Sequence, residues 1–306
     1  MTLRRLKPGD VVGVAALSGP ADPEDLARGC AALEEMGYRI RLAPNVGLKT
    51  GSLGLAGADT ERLAGYRGLL LDGDVAAILF ARGGYGVTPL LPLLDPEEIA
   101  AHPKIHCGFS DLTALSGFLL SRCGLPSFHG PMVAADLARG LDPLSASFFP
   151  ALLEGRGPSG LPMPGADVLS GGDFDGRLVG GCLSLLAAGV GTPAEFPYDG
   201  AILFLEDVGE EAYRIDRMLV TLRDAGRLAK LKGILIGSLS AITFGGVEDA
   251  ARLRALLVER LAPLGIPVVA GLPAGHRPPN VTLPVGARVT WDEGRRVLSF
   301  REEIVT

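Results

Sequence analysis

The segment HCGFSDLTAL, residues 106–115, contains the structural transition on which both the fold and the function depend. A strand-like run ends at Phe109, Ser110 and Asp111 follow, and an apolar helix-like run begins. Serine and aspartate are favoured helix N-caps, because their side-chain oxygens accept hydrogen bonds from unpaired amides of the first turn. The segment alone therefore leaves two interpretations of Ser110, a helix cap or a nucleophile.

Short apolar runs alternate with helical patterns on both sides of this segment. Upstream, a helical pattern at 58–72 precedes the strand-like run VAAILFARGGYG (75–86), which ends in a glycine turn. This alternation predicts an α/β fold with βαβ units and a mostly parallel sheet, in which ligands bind beyond the carboxyl ends of the strands. Both RGGYG (82–86) and GFSD (108–111) follow such ends, which favours a function for Ser110.

The length of the chain favours two domains. At 306 residues it exceeds the size at which one hydrophobic core usually keeps growing. Residues 136–172 form a Pro/Gly-rich stretch with one short helical pattern, which we interpret as a linker between domains at 1–135 and 173–306. The second domain has its own strand and helix patterns and ends in a predicted hairpin with its turn at DEGR (292–295).

Composition argues against several classes of partner. The net charge is −6 and no stripe of Lys or Arg is present, so a nucleic-acid partner is not expected. No apolar run approaches the ~20 residues that a membrane span needs. The apolar run VVGVAAL (11–17) is short and follows KPGD, which favours a buried strand over a signal peptide. The four cysteines are widely spaced, which is typical of free thiols in a reducing compartment, and we expect a cytoplasmic protein.

A nucleophilic serine needs a base, and the chain has four histidines. His102 lies in a predicted loop and His106 within a predicted strand, where structural roles are expected. His129, in FHGP, follows a strand and is a candidate for the same cleft. His276, in GLPAGHRPPN, follows a buried strand in a loop fixed by glycine and proline. From the residues alone, both His129 and His276 stay candidates.

Two carboxylates follow the apolar run AILFL (201–205). Glu206 and Asp207 occupy positions where the strand is still expected to be partly buried, and a buried carboxylate needs a partner. One possible partner is Arg214 or Arg217 of the following helix. The other is a histidine whose tautomer the carboxylate would fix, as the third member of a catalytic triad does.

Five motifs occur in the order found in the LD-carboxypeptidase family of serine peptidases: ARGGYG (81–86), GFSDLTAL (108–115), GRLVGGCLSLL (176–186), LFLEDVGEEAYRIDRML (203–219) and GLPAGH (271–276). The chain resembles this family, which includes muramoyl-tetrapeptide carboxypeptidases and microcin C self-immunity proteins, from Lys7 to about Arg288. The resemblance implies a flavodoxin-like N-terminal domain that bears the nucleophile and a smaller α/β C-terminal domain. It also implies a homodimer that uses no metal and no cofactor.

The resemblance implies a catalytic triad drawn from three of these motifs. Ser110 corresponds to the nucleophile, His276 to the base and Glu206 to the acidic member. A serine at a strand-to-helix turn is exposed at the edge of a sheet, as in a nucleophile elbow. The amide after it belongs to a helix N-terminus, which favours negative charge.

Other positions of the motifs have implied or expected roles. The oxyanion hole corresponds to the backbone amides of Gly84 and Asp111. Arg82 is a candidate for binding a substrate carboxylate, although it could equally pair with a carboxylate of the fold. Cys182 stands where the family usually has asparagine in GGNLS, which puts a polar contact at that position in doubt.

The substrate implied by the resemblance is a murein tetrapeptide, a small peptide. The expected reaction is hydrolysis of the bond between the L-centre of a diamino acid and a terminal D-alanine, as a step in cell-wall recycling. One alternative is a microcin C-type immunity hydrolase acting on peptidyl or aminoacyl adenylates. The other is a non-catalytic flavodoxin-like binding module in which Ser110 only caps a helix.

Overall fold

The computed structural model describes residues 2–306, and its first half alternates strands with helices as predicted. The elements are β1 Val11–Ala15, α1 Pro23–Glu35, β2 Arg39–Leu42, α2 Asp59–Leu71, β3 Val75–Phe80, α3 Pro96–Ala101, β4 Ile105–Cys107, α4 Leu112–Arg122 and β5 Ser127–His129. The central strands β1, β3 and β4 are buried along their whole lengths, which explains why they are continuous apolar runs rather than alternating ones.

The second half contains more strands than the first. Its elements are α5 Pro143–Leu153, β6 Gly160–Pro162, β7 Asp167–Ser170, β8 Phe174–Cys182, α6 Leu183–Ala188, β9 Ala201–Val208, α7 Ala212–Asp224, β10 Gly233–Ser240, α8 Ala250–Leu261, β11 Val268–Ala270, β12 Leu283–Val285, β13 Arg288–Asp292 and β14 Val297–Phe300. The predicted C-terminal hairpin is present as antiparallel β13 and β14.

Two sheets organise these strands. The first has the order β12-β5-β4-β3-β1-β2, and all its pairs are parallel except β12 with β5. The second has the order β6-β14-β13-β8-β9-β10-β11-β7, with a parallel centre from β8 to β11. The predicted α/β class with a parallel N-terminal sheet is therefore confirmed.

Residues 136–172, which we expected to be a linker, contain regular structure. They include α5 and the strands β6 and β7, which form the two outer edges of the second sheet. Glycine and proline are tolerated at such edges, because an edge strand leaves half of its backbone groups unpaired. The predicted second domain also gives strand β12 to the first sheet. The domain limits at 135 and 173 stay a proposal.

The second sheet separates two apolar clusters, and β9 contributes to both. Ile202 and Phe204 lie in one cluster, and Leu203 and Leu205 lie in the other, as the alternation of a strand requires. Glu206 continues the face of Ile202 and Phe204. In residues 2–306, no helix combines the length and the apolar character needed to cross a membrane.

Candidate active site

Ser110 occupies a strained turn between β4 and α4. Its φ is 61°, in the left-handed region that residues other than glycine rarely adopt. Neither Ser110 nor Asp111 makes a side-chain hydrogen bond to the first amides of α4 within residues 2–306. The helix-cap interpretation of Ser110 therefore has no cap hydrogen bond to support it. A strained serine between a strand and a helix is the geometry of a nucleophile elbow.

The Asp111 carboxylate connects this turn to two neighbouring loops. It accepts hydrogen bonds from Ser18 Oγ at 2.5 Å and from the Val87 amide at 3.0 Å. Burial raises the pKa of Asp111, although both hydrogen bonds oppose the increase. The carboxylate thus fixes the glycine loop beside Ser110, while the Asp111 backbone remains at the start of α4.

Three of the predicted residues form a continuous hydrogen-bonded chain. His276 Nε2 lies 3.0 Å from Ser110 Oγ, and His276 Nδ1 lies 2.7 Å from Glu206 Oε2. With the proton on Nδ1, the imidazole donates to Glu206 and its Nε2 accepts from the Ser110 hydroxyl. The three residues are far apart in sequence and belong to different elements, so only the fold brings them together.

Burial and neighbouring charge shift the pKa values of Glu206 and His276. Glu206 is 0% exposed, and burial raises its pKa despite the hydrogen bond from His276. Burial also disfavours the imidazolium of His276, but the hydrogen bond and charge of Glu206 outweigh this effect and raise the pKa of His276 above its ordinary value. Glu206 therefore stabilises the cation that His276 becomes when it takes a proton.

Gly275 permits the close approach of Glu206 and His276. Its φ is 131°, and a Cβ there would lie 2.8 Å from Glu206 Oε2 and 2.6 Å from Ser238 Oγ. Any side chain at this position would therefore push the carboxylate away or strain the backbone.

The loop that carries His276 is held by a polar brace, which we define as Asp142, Ser145 and Asn280; Ser145 and Asn280 are buried. The Gly275 amide donates to Asn280 Oδ1 at 3.0 Å, and the Asn280 amide donates to Ser145 Oγ at 2.9 Å. Ser145 Oγ donates in turn to Asp142 Oδ2 at 2.5 Å. Asp142 also caps α5 through the amides of its first turn. Sequence reasoning missed the brace, because two of its residues lie in the presumed linker.

The other three histidines make no hydrogen bond to Ser110 in residues 2–306. His129 is buried, does not hydrogen-bond Ser110, and has its pKa lowered to about 3 by burial. His106 Nε2 lies 2.9 Å from the Tyr66 hydroxyl, and burial lowers its pKa to about 4. His102 is exposed. His276 is therefore the histidine that this structure places against Ser110.

The arginines proposed as alternative partners do not pair with Glu206. Arg214 forms an ion pair with Glu210, and the Arg217 guanidinium lies over an aromatic ring, with no ion pair to Glu206 in residues 2–306. Asp207 accepts hydrogen bonds from the amides of Ser184 and Val208, each at 2.8 Å. The two adjacent carboxylates thus have different surroundings, and only Glu206 contacts His276.

The glycine loop after β3 lies directly beside Ser110. A Cβ on Gly83 would be 2.9 Å from Ser110 Cβ and 3.1 Å from Ser110 Oγ. The amides of Gly84 and Asp111 have no hydrogen-bond partner in the part of the chain that the structure describes. Both N–H groups are therefore unpaired at the turn that carries Ser110.

Arg82 and Cys182 lie at the margins of the site. Arg82 is exposed and makes one long contact, 3.5 Å, with the Pro20 carbonyl. Cys182 pairs with Glu206 in the register of β8 and β9, and its thiol lies 3.1 Å from Ser184 Oγ. Burial raises the pKa of this thiol, so it remains protonated beside Glu206.

Family models match both halves of the chain. The LD-carboxypeptidase N-terminal domain matches residues 12–130, and the LD-carboxypeptidase C-terminal domain matches residues 175–291. The chain belongs to the LD-carboxypeptidase family. The five-motif resemblance is therefore confirmed. Ser110 lies in the N-terminal matched range and His276 in the C-terminal one.

Individual relatives of this LD-carboxypeptidase family member carry carboxypeptidase names. The probable murein peptide carboxypeptidase of Bacillus subtilis (strain 168) is 36% identical over 297 residues, covering 96% of this chain and 92% of the relative. The crystal structure of muramoyltetrapeptide carboxypeptidase from Oxalobacter formigenes has a TM-score of 0.82 at 31% identity, covering 94% of this chain and 97% of that one.

The same fold occurs in a self-immunity protein. The structure of MccF in complex with glutamyl sulfamoyl guanosine has a TM-score of 0.91, covering 100% of this chain and 99% of that chain. The identity is 24%, so this likeness shows the shared fold alone.

Proposed function

We propose that the protein is a serine carboxypeptidase that cleaves the L,D-peptide bond before the terminal D-alanine of a murein tetrapeptide. The observation that carries this proposal is the hydrogen-bonded chain from Glu206 through His276 to Ser110. The names of the relatives from Bacillus subtilis and Oxalobacter formigenes support the substrate class.

Acylation follows from the geometry. His276 Nε2 takes the hydroxyl proton as Ser110 Oγ bonds to the carbonyl carbon before D-alanine. The carbonyl electron pair moves to oxygen, where the amides of Gly84 and Asp111 donate hydrogen bonds; one such donor is typically worth ~3 kcal/mol in the barrier. Glu206 keeps the imidazole in one orientation and stabilises its cationic form.

Release of the products reverses these proton transfers. His276 gives its proton to the alanine nitrogen, the C–N bond breaks, and D-alanine leaves. Water, deprotonated by the same imidazole, then attacks the Ser110 ester and frees the shortened peptide as its acid. We further propose that the protein acts as a cytoplasmic homodimer on recycled cell-wall fragments.

A peptidyl or aminoacyl adenylate is the second candidate substrate. Tyr85 follows Gly84 in the glycine loop and is 50% exposed, so an aromatic surface is available beside the proposed oxyanion hole. A purine ring stacks on such a surface. The same three residues would then cleave an acyl bond of the adenylate.

The decisive experiment measures D-alanine released from a tetrapeptide that ends in a diamino acid and D-alanine. We expect turnover by the wild type and a loss of ~10⁴-fold or more in Ser110→Ala, with an unchanged melting temperature. Ser121→Ala is the matched control, because Ser121 is an exposed serine of α4. Cleavage of an adenylate without alanine release would favour the second candidate. Full activity in Ser110→Ala would support the cap interpretation.

A further inference from the structure

A groove of about 620 Å³ runs along the glycine loop beside Ser110. Its lining residues come from three loops: Gly19, Pro20, Lys49, Leu53, Gly54, Leu55, Arg82, Gly83, Gly84 and Tyr85. Gly83 is the floor residue that abuts the Ser110 side chain. The groove and the proposed nucleophile are therefore continuous, and the groove is available to a part of the same substrate.

The groove contains two cations and no carboxylate among its lining residues. Lys49 has no hydrogen bond or ion pair from its ammonium to any of residues 2–306. Arg82 has only its 3.5 Å contact with the Pro20 carbonyl. Other surface cations of this acidic chain form ion pairs, such as Arg67 with Glu98. Two uncompensated cations in one groove indicate an anionic ligand.

Both cationic side chains are supported along their stems. Arg82 Cδ and Nε lie 3.7 Å from the position that a Cβ on Gly19 would occupy. Lys49 Cε lies 3.2 Å from the corresponding position on Gly54. The loop after Lys49 is closed by reciprocal backbone hydrogen bonds between Thr50 and Leu55, at 2.9 and 3.0 Å. Glycine at these two positions leaves room for the stems of Arg82 and Lys49 at the groove.

A carboxypeptidase substrate has a free carboxylate one residue beyond the bond that is cut. One residue spans ~3.8 Å between α-carbons, so this carboxylate stays close to the nucleophile in any productive complex. Gly83 is the lining residue shown against the Ser110 side chain, and Arg82 directly precedes it in the chain. The terminal carboxylate of a bound substrate would therefore lie near the end of the groove that Arg82 and Gly83 line.

We propose that Lys49 and Arg82 bind the free terminal carboxylate of the leaving residue and thereby restrict the protein to C-terminal residues. This inference rests on the proposed carboxypeptidase function and adds the specificity determinant to it. Arginine suits the role because its guanidinium binds a carboxylate in two-point geometry, and lysine adds a second charge.

The test compares two substrates that differ only in this carboxylate. The tetrapeptide acid and the same tetrapeptide ending in D-alaninamide contain the same scissile bond. We expect the wild type to cleave the acid with a kcat/KM at least about tenfold higher, since hydrogen bonds between charged groups are stronger than those between neutral groups. Arg82→Gln and Lys49→Gln should each lower kcat/KM for the acid, chiefly by raising KM. The ratio of kcat/KM for the acid to kcat/KM for the amide should then approach one.

Arg5→Gln and Lys7→Gln are the matched controls, because both residues are exposed and lie outside the groove. Calorimetric binding of both peptides to Ser110→Ala gives a readout that needs no turnover. Equal cleavage of acid and amide by the wild type, or an unchanged ratio in both groove variants, overturns the inference alone. Binding that selects the acid, without hydrolysis, contradicts the proposed function alone. If neither selective binding nor hydrolysis is seen, the inference and the proposed function are both contradicted.

Discussion

Ser110 and His276 meet from two regions that are built in different ways. Ser110 belongs to a turn between consecutive elements of a parallel sheet, and its conformation is set by β4, α4 and the adjacent glycine loop. His276 belongs to the loop from β11 to β12, which leaves the second sheet and enters the first. The nucleophile is thus fixed within one layer, whereas the base depends on contacts between the two halves.

This difference determines which substitutions can displace each of the two residues. The position of His276 depends on Glu206 from β9 and on the polar brace of Asp142, Ser145 and Asn280. Changes far from the chemistry can therefore move the base, whereas the Ser110 turn responds chiefly to local changes. A small displacement of a catalytic group costs up to ~10²-fold in rate.

The largest effect is expected when the base itself is removed. His276→Ala leaves the Ser110 hydroxyl with no proton acceptor, so kcat should fall by ~10⁴-fold or more. His129→Gln is the comparison, because His129 is buried nearby but makes no hydrogen bond to Ser110. Alanine release by both variants, with melting temperatures as the control for folding, checks the assignment. Activity in His276→Ala and its loss in His129→Gln would identify His129 as the base.

Glu206→Gln should have the next largest effect and should also change the pH profile. Loss of the carboxylate removes the partner of the imidazolium, and kcat should fall by ~10³-fold or more. In the wild type, the pKa of His276 is raised, so kcat/KM should rise with pH through a value above its ordinary 6.5. In the variant, burial still disfavours the imidazolium, and only the charges of Asp207 and Asp136 remain to raise the pKa of His276, so this rise in kcat/KM should move to lower pH. If kcat/KM rises at the same pH in the variant and in the wild type, Glu206 does not set the protonation of His276.

Ser145 tests whether the base depends on distant structure. Ser145→Ala leaves the backbone N–H of Asn280 without its acceptor. We expect kcat to fall about tenfold at constant KM. The melting temperature should also fall, because an unpaired buried polar group costs ~1–3 kcal/mol. Ser147→Ala is the matched control, because Ser147 is exposed on the same helix. A lower melting temperature with unchanged kcat would limit the brace to a structural role.

The sequence identifies the residues on the Ser110 side of the site more completely than those on the His276 side. The end of an apolar run before a helical pattern indicated Ser110 as a cap or a nucleophile, and the run AILFL indicated Glu206 and Asp207, whereas the resemblance assigned the roles of Ser110 and Glu206. Both signals are local in the chain. The resemblance, rather than a local pattern, separated His276 from His129.

The features that the sequence did not reveal depend on non-local pairing. Strand β12 is three residues long with a central proline, and nothing in its composition shows that it joins the first sheet. The sequence predicts a linker over β6 and β7, because their proline and glycine are typical of loops, although both residues are also compatible with sheet edges. Asp142 and Ser145 look like an ordinary helix start, and only the tertiary fold brings Asn280 to them.

The smallest expected effect separates backbone strain from chemistry at Ser110. Ser110→Ala and Ser110→Gly both lack the hydroxyl and should be equally inactive, but only glycine adopts a φ of 61° without a steric penalty. The glycine variant should therefore be more stable than the alanine variant by ~1 kcal/mol, measured as the difference between their free energies of unfolding in urea. Equal stabilities would mean that the turn relaxes once the hydroxyl is gone. The contact with His276, rather than the fold of the first sheet, would then hold Ser110 in its left-handed conformation, and the contrast between the two regions would be lost.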